Sequence, residues 1–449
     1  MALTVDDLET AGFDTVVVAS ADVTGRLVGK RFSPAVFRDL IHEGVALSSC
    51  VLGWDLDQWP GPVQAYTGHH TGWHDVRLVP DLATLRPAAW LERTAICVAD
   101  FVEMGSDELV PVAPRTILRR QIEHLENAGM TPQVASELEF SLYRGTYDDA
   151  REHGYERLRP TTAARADYTV QAGDQHEAFF AELRRALDAS GLGPWTTQVE
   201  WGLGQWEVNL RYQHALEMAD RHVLFKLAVR DLGAAHGLAA TFMAKPFADT
   251  TGSSCHLHLS LVNASGTNLF HGPAGEREVS ATLLQAVGGI LERAPDLMLF
   301  YAPTVNSYRR IAAGEFSGNG LSWGWDNRMV SCRVLTETMD STRLEWRVPG
   351  ADVNPYLAIA GLLASAADGI WTGADPGEPI GEDWERPVPP LPSSLGEAVE
   401  RFRDSAFAGA IFGKDVVDHY AVAGAWEWQA FQAPDAVTEW ERRRYFEVI

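Results

Sequence analysis

The sequence predicts an α+β fold in two parts, a small N-terminal domain over residues 1–108 and a larger domain over 109–449 that carries a mainly antiparallel sheet. Three observations lead there. Charged residues recur with a spacing of two in Glu137-Leu-Glu139 and in Arg343-Leu-Glu345-Trp-Arg347, the alternation of strands that bury one face and wet the other. Amphipathic helical stretches alternate with these short charged strands, whereas a parallel nucleotide-binding sheet would show uniformly apolar strands and a G-x-G-x-x-G turn. Two prolines in Val110-Pro-Val-Ala-Pro114 interrupt both periodicities between the parts.

In chain order, Asp14–Ala19 reads as a strand and Gly25–Arg31 as its turn and basic partner. A phosphate loop around Gly29-Lys30 is excluded by spacing, because the residue five positions before Gly29 is Thr24. A helix over Pro34–Glu43 and strands over Asp75–Asp81 and Ala95–Ala99 complete the first part. Beyond the prolines, Arg115–Ala128 has helical periodicity and is stopped by Gly129. Further helices are predicted over His176–Ala189 and Ala215–His236, and Pro355–Gly369 is an alanine-rich apolar helix of the core. The stretch Gly373–Pro392, loaded with glycine, proline and acids, is an excursion between helices.

The formal charge of −24, from 61 acidic and 37 basic residues, argues against a nucleic-acid or anionic-membrane partner, since both require a basic footprint. The apolar stretches are interrupted too often to span a bilayer, and the start lacks the features of a signal peptide. Cys50, Cys97, Cys255 and Cys332 form no C-x-x-C pair, which fits reduced thiols in a cytoplasmic protein.

The chemistry concentrates in the second part. Leu138 and Phe140 show that the face opposite Glu137 and Glu139 is buried, so these glutamates occupy a wet face by placement. Glu200-Trp-Gly-Leu-Gly-Gln205-Trp-Glu207 packs two acids, two indoles and two glycines into a bend that brings Glu200 and Glu207 near one point. Cys255-His256-Leu-His258-Leu259 offers two imidazoles on one face, beside Ser253, Ser254 and Ser260. Carboxylates with an imidazole and no cysteine pair favour magnesium or manganese over zinc. Arg309, Arg310, Arg328, Arg333, Arg343 and Arg347 supply forked positive charge suited to carboxylate or phosphoryl oxygens.

These motifs, with Phe242-Met-Ala-Lys-Pro246, Gly252-Ser-Ser-Cys-His256, Asn306-Ser-Tyr-Arg-Arg310 and Asn354-Pro-Tyr356, resemble the glutamine synthetase family in order and over essentially the whole chain. The resemblance is to its branch that makes γ-glutamyl amides of amines and polyamines. It implies a β-grasp-like N-terminal domain, a catalytic domain with a curved antiparallel sheet, and a homo-oligomer of two hexameric rings, a dodecamer whose sites are completed by a neighbour's N-terminal domain. It implies ATP and two Mg2+ or Mn2+ ions, one held by Glu139, Glu200 and Glu207 and the other by Glu137, His256 and Glu345. By the same carry-over Gly252, Arg310 and Arg347 would meet the amino-acid substrate, and Ser260, Arg328, Arg333 and Arg343 would face ATP and the transferred phosphoryl group.

Departures from the family bear on the amine. Ammonium-using members carry a glutamate six residues beyond the arginine matching Arg310; here that position is Phe316, with Glu315 just before it. An aromatic ring takes no proton but can line an entrance for an alkyl amine, so Phe316 is assigned to substrate binding, and Glu315 and Asp55 are the acids assigned to the amine. The family's asparagine before the glycine matching Gly252 is Thr251, and the adenylylated tyrosine loop has no equivalent near Gly373–Pro392. The expected function is an ATP-dependent ligase joining glutamate to an organic amine or polyamine through γ-glutamyl phosphate. Ordinary glutamine synthesis from ammonium, and a sensor without turnover, are the alternatives.

Overall fold

The computed structural model describes residues 3–61, 64–272, 277–314, 320–383, 385–431 and 437–449. Thr15–Ala21 and Leu27–Phe32 form the expected antiparallel hairpin, and Thr15–Ala21 also runs parallel to Thr94–Glu103. Thr94–Glu103 pairs in turn with Asp75–Pro80, and that strand with Val45–Ser48, a short strand that the sequence pattern does not predict. The helix after the hairpin covers Pro34–Leu40 and stops short of Glu43, because the chain turns at Gly44 (φ 71°) to enter Val45–Ser48.

The larger sheet is organised by one strand, Thr131–Arg144. Gln205–Leu210 and then Pro194–Val199 lie on one side of it; Cys255–Val262, Arg343–Trp346, Cys332–Leu335 and Trp323–Trp325 follow on the other. Every neighbour is antiparallel except Trp323–Trp325, which runs parallel to Cys332–Leu335. The central strand is 14 residues long where a short one is predicted, since Gln213–His214, Leu238–Thr241 and Arg159–Pro160 pair along it as well.

The apolar spacers of these strands, among them Val134, Leu138, Phe140, Trp206, Leu257, Leu344 and Trp346, are all buried on one face. Helices Pro114–Asn127 and Ala215–Ala235 cover that face, and Pro355–Thr372 packs against both and against Ala281–Tyr301. The last two cross at glycines: a Cβ on Gly369 would stand 2.2 Å from the Gln285 carbonyl oxygen, and one on Gly289 would stand 2.3 Å from that of Ser365. Gly373–Pro392 joins helices Pro355–Thr372 and Leu395–Asp404, as predicted. The architecture is α+β, and no helix among the described residues is long and apolar enough to cross a membrane.

A buried ion cluster ties the two sheets together. Arg115, 2% exposed, donates from Nε (3.0 Å) and Nη2 (2.8 Å) to Asp220, from Nη1 to Asp100 (2.6 Å) and from Nη2 to Asp81 (2.8 Å). Asp100 belongs to the N-terminal sheet and Asp81 directly follows its strand Asp75–Pro80, and Asp220 lies on Ala215–Ala235, where Tyr356 Oη also donates to it at 2.7 Å. Removing only the cation strands a buried carboxylate. Arg115→Met should therefore lower the unfolding free energy by about 3–5 kcal/mol in a urea titration; a loss under about 1 kcal/mol would show that the cluster does not fasten the sheets.

Candidate active site

The face of the larger sheet opposite the core lines a cleft of about 1690 Å³. Alternation fixes what enters it. From Thr131–Arg144 come Gln133, Ala135, Glu137 and Glu139; from Gln205–Leu210, Gln205, Glu207 and Asn209; from Cys255–Val262, His256, His258 and Ser260. Register sets them side by side: Glu207 lies opposite Glu139, His256 opposite Glu137, Glu345 opposite His258, and Arg333 opposite Glu345. The outcome is a row of acids and imidazoles running across the strands and ending in arginines.

Hydrogen bonds hold the row. Glu139 accepts from Ser254 N–H (2.8 Å), Ser254 Oγ (2.6 Å) and Gln205 Nε2 (2.8 Å). Gln198 Nε2 bridges Glu200 (3.1 Å) and Glu207 (2.9 Å), so the two acids meet at one amide. His256 Nδ1 lies 3.4 Å from Glu137 and 3.5 Å from Glu345. His258 Nε2 is 3.0 Å from Glu137 Oε1 but out of line for a hydrogen bond, while its Nδ1 accepts from Arg343 Nε at 3.2 Å. Glu345 is fully buried and receives Arg333 Nη1 at 2.9 Å and Arg347 Nη1.

The charges divide the row into two flanks. Burial opposes ionisation of Glu137 and Glu345, but their neighbours outweigh it: His258 and His256 hold Glu137 well below the usual range, and His258, Arg347 and His256 bring Glu345 down to about 2. On the other flank burial and like charge act together. Glu200 is pushed up to about 8 by burial and by Glu139, and Glu207 rises by burial and by Glu137, Glu139 and Glu200. Burial, with Arg347 beside it, lowers His256, which favours the neutral imidazole that ligates metals.

A divalent cation fits this donor set. His256 Nε2 is buried without a hydrogen-bond partner, and two carboxylate–imidazole triads, Glu137–Glu207–His256 and Glu137–His258–Glu345, each bring their ligand atoms within 4.8 Å of one another. This grouping differs from the one the resemblance implies: His258 takes the place next to Glu345, Glu137 is common to both triads, and Glu139 and Glu200 stand outside them.

Gly252, Ser260, Arg310, Arg328, Arg333, Arg343 and Arg347 all line the cleft, as predicted. Gly252 has no room for a side chain, since a Cβ would stand 2.6 Å from Arg310 Cγ. The Arg310 fork donates to the carbonyls of Val348 (2.8 Å) and Arg347 (3.0 Å), so within this chain it braces the strand end that carries Arg347. Asp55 does not reach the cleft of its own chain, where its carboxylate receives Arg444 Nη2 at 3.2 Å and the N–H groups of Asp57 and Trp59; the resemblance would have it meet the site of a neighbouring subunit. Glu315 and Phe316 lie outside the described residues. Sequence reasoning did not assign roles to His258, Gln198, Gln205 and Ser254; the spacing of two from His256 and from Glu207 was the available signal for His258 and Gln205.

Residues 111–445 match the family described as glutamine synthetase, catalytic domain. The chain belongs to the glutamine synthetase family. A gamma-glutamylethanolamide synthetase, GlnA4 of Streptomyces coelicolor, is 39% identical over 97% of this chain and 93% of its own. A glutamate–isopropylamine ligase of a Pseudomonas species is 33% identical over 99% of this chain and 97% of its own. A solved GmaS/ADP complex superposes with a TM-score of 0.83 at 29% identity, covering 99% of both chains.

The raised flank gives a pH signature to this glutamine synthetase cleft. Without a cation, the folded state holds a proton on Glu200 from about pH 4.5, the ordinary glutamate value, up to about 8, whereas the unfolded chain has released it. More protons bound to the folded state mean that stability falls as pH rises through that window. A divalent ion bound at Glu207, beside Glu200, would replace those protons. Relative to Glu200→Gln in chelator, which keeps the opposing buried histidines and Lys226 unchanged, the wild-type melting temperature should drop between about pH 5 and 8, saturating manganese should abolish that difference, and Glu207→Gln should shrink the manganese effect. An equal manganese effect at both ends of the range would contradict the assignment.

Proposed function

We propose that this protein is an ATP-dependent ligase that joins the γ-carboxylate of glutamate to an organic amine or polyamine through γ-glutamyl phosphate. The full-length similarity to two ligases whose amines are organic supports this reading most directly. The cleft supports it chemically, with acids for cations on one flank and arginines for anions on the other. The protein is proposed to act in the cytoplasm as a homo-oligomer, a dodecamer of two hexameric rings, with a boundary between its two domains at residues 108/109.

In the first step the γ-carboxylate oxygen of glutamate attacks the γ-phosphorus of ATP and ADP leaves. In the second the amine nitrogen attacks the acyl carbon, phosphate leaves, and the amide forms after the nitrogen loses a proton. Glu137, Glu139, Glu200, Glu207, His256, His258 and Glu345 would hold two Mg2+ or Mn2+ ions, which when bound would supply positive charge against the developing phosphoryl charge. Arg333 and Arg343, with Ser260, receive the nucleotide phosphates, and Arg328 meets the transferred phosphoryl group. Arg347 holds a substrate carboxylate, and Arg310 acts with Gly252 at the same end. Since Arg310 spends its fork on two carbonyls, it keeps Arg347 aligned.

Arg347→Lys keeps the charge but loses the fork. It should raise the KM for glutamate about tenfold or more while changing the KM for ATP little, measured by ADP release with manganese and saturating amine. Unchanged glutamate saturation would refute this placement. For the reaction as a whole, a panel of ammonium, ethanolamine, short monoamines, putrescine and spermine, with product mass recorded, should give a glutamyl amide of an organic amine at the highest kcat/KM. A clear win for ammonium would make the chain a glutamine synthetase.

A further inference from the structure

We propose that Asp167 receives the ammonium group of the incoming amine and that Trp201 forms the apolar wall for its carbon chain, so that the site selects primary alkylamines over ammonium. The proposal rests on the ligase reading above and names the residues that would set its amine specificity. Asp167 and Trp201 line the cleft together with Glu200, Thr251 and Arg328.

Asp167 and Asp340 are the acids of the cleft whose side chains have no ion pair or hydrogen bond among the described residues, and of the two Asp167 is the one on the turn fastened beside Glu200. Glu137 has two imidazoles, Glu139 has Ser254 and Gln205, Glu200 and Glu207 share Gln198, and Glu345 has two arginines. Among the described residues no side chain forms an ion pair or hydrogen bond with the Asp167 carboxylate. Its place is nonetheless fixed. Tyr168, the next residue, has a left-handed backbone (φ 54°) and donates its N–H to the Val199 carbonyl at 3.1 Å, while Thr169 N–H closes the turn onto the Ala166 carbonyl at 2.8 Å. The turn is thus fastened to the residue just before Glu200.

Trp201 follows Glu200 directly and is half-buried. The Arg165 guanidinium stacks over its ring, 4.0 Å from the centre. A bare ammonium ion would engage Asp167 alone. An alkylammonium would place its nitrogen against Asp167 and its methylenes against Trp201, gaining apolar burial that ammonium cannot. That second contact is the source of the selectivity.

The test uses the full-length protein with manganese, measuring ADP release and the mass of the glutamyl product while glutamate, ATP, and propylamine or ammonium are varied in turn. Asp167→Asn should raise the KM for propylamine about 10- to 100-fold, as expected for losing a bond to a charged group, and leave the KM values for glutamate and ATP within about twofold. Asp167→Glu should recover part of the loss. Trp201→Ala should cut the kcat/KM ratio of propylamine to ammonium about tenfold or more. An Asp167→Asn enzyme with an unchanged amine KM, or with all three KM values raised together, would overturn the proposal while leaving the ligase reading intact. Wild-type protein that forms no glutamyl product with any amine would overturn that reading and this proposal with it. Should Asp167→Asn fail to fold, as judged by circular dichroism, Asp167→Glu and the Trp201→Ala ratio decide.

Discussion

Five carboxylates on one face of one sheet, in a partly dry cleft, repel one another, and most of what surrounds them answers that repulsion. Glu137 and Glu345 are answered inside the chain, by His256, His258, Arg333 and Arg347. Glu200 and Glu207 are not, and their affinity for protons rises as a result. The cleft therefore has one flank whose charge is settled by folding and another whose charge is left for a cation. Removing a partner from the settled flank would leave a fully buried Glu345 uncompensated, a costlier change than losing an exposed ion pair.

The arrangement holds only in one register. Side chains alternate along each strand, so a slip of one residue in Thr131–Arg144 would send Glu137 and Glu139 into the core and Leu138 and Phe140 into the cleft. The buried spacers Leu138, Trp206, Leu257, Leu344 and Trp346 thus act at a distance on the chemistry: they hold four strands in the phase that aligns Glu207 with Glu139, and His256 with Glu137. Gly252 does comparable service for the arginine end, since any side chain there would displace Arg310 and, through its two carbonyl bonds, the strand end bearing Arg347.

Much of this was legible because period-two alternation is a local property. Glu137-Leu-Glu139 and Arg343-Leu-Glu345 announce a wet strand face without any knowledge of their neighbours, and the helices Pro114–Asn127, Ala215–Ala235 and Pro355–Thr372 fall within a few residues of their predicted spans. What stayed hidden depends on which strand lies beside which. His256 and His258 are equivalent in sequence, and only pairing with Arg343–Trp346 sets Glu345 opposite His258. Gln198 is unremarkable until Pro194–Val199 folds back to place it opposite Glu207. The Arg115 cluster joins residues as far apart as Asp81 and Asp220, and Asp55 turns to Arg444 near the other end of the chain, contacts that no local pattern encodes.

The polarity of the cleft also bears on why a ligase of this kind uses a wet sheet face at all. Both steps of the proposed reaction begin with a repulsion, first between a carboxylate and a polyphosphate, then between a cationic amine and the positive charge gathered to overcome the first. A surface of one sign cannot serve both. A sheet can, because its strands are spaced at about 4.8 Å, so charges of opposite sign can be set a few strands apart and held there by the same ladder of hydrogen bonds. In this chain Arg333, Arg343 and Arg347 sit at the Arg343–Trp346 and Cys332–Leu335 side, and the acids still able to accept a cation sit at the Gln205–Leu210 side, next to the turn that carries Asp167. The two requirements are met by position across one sheet.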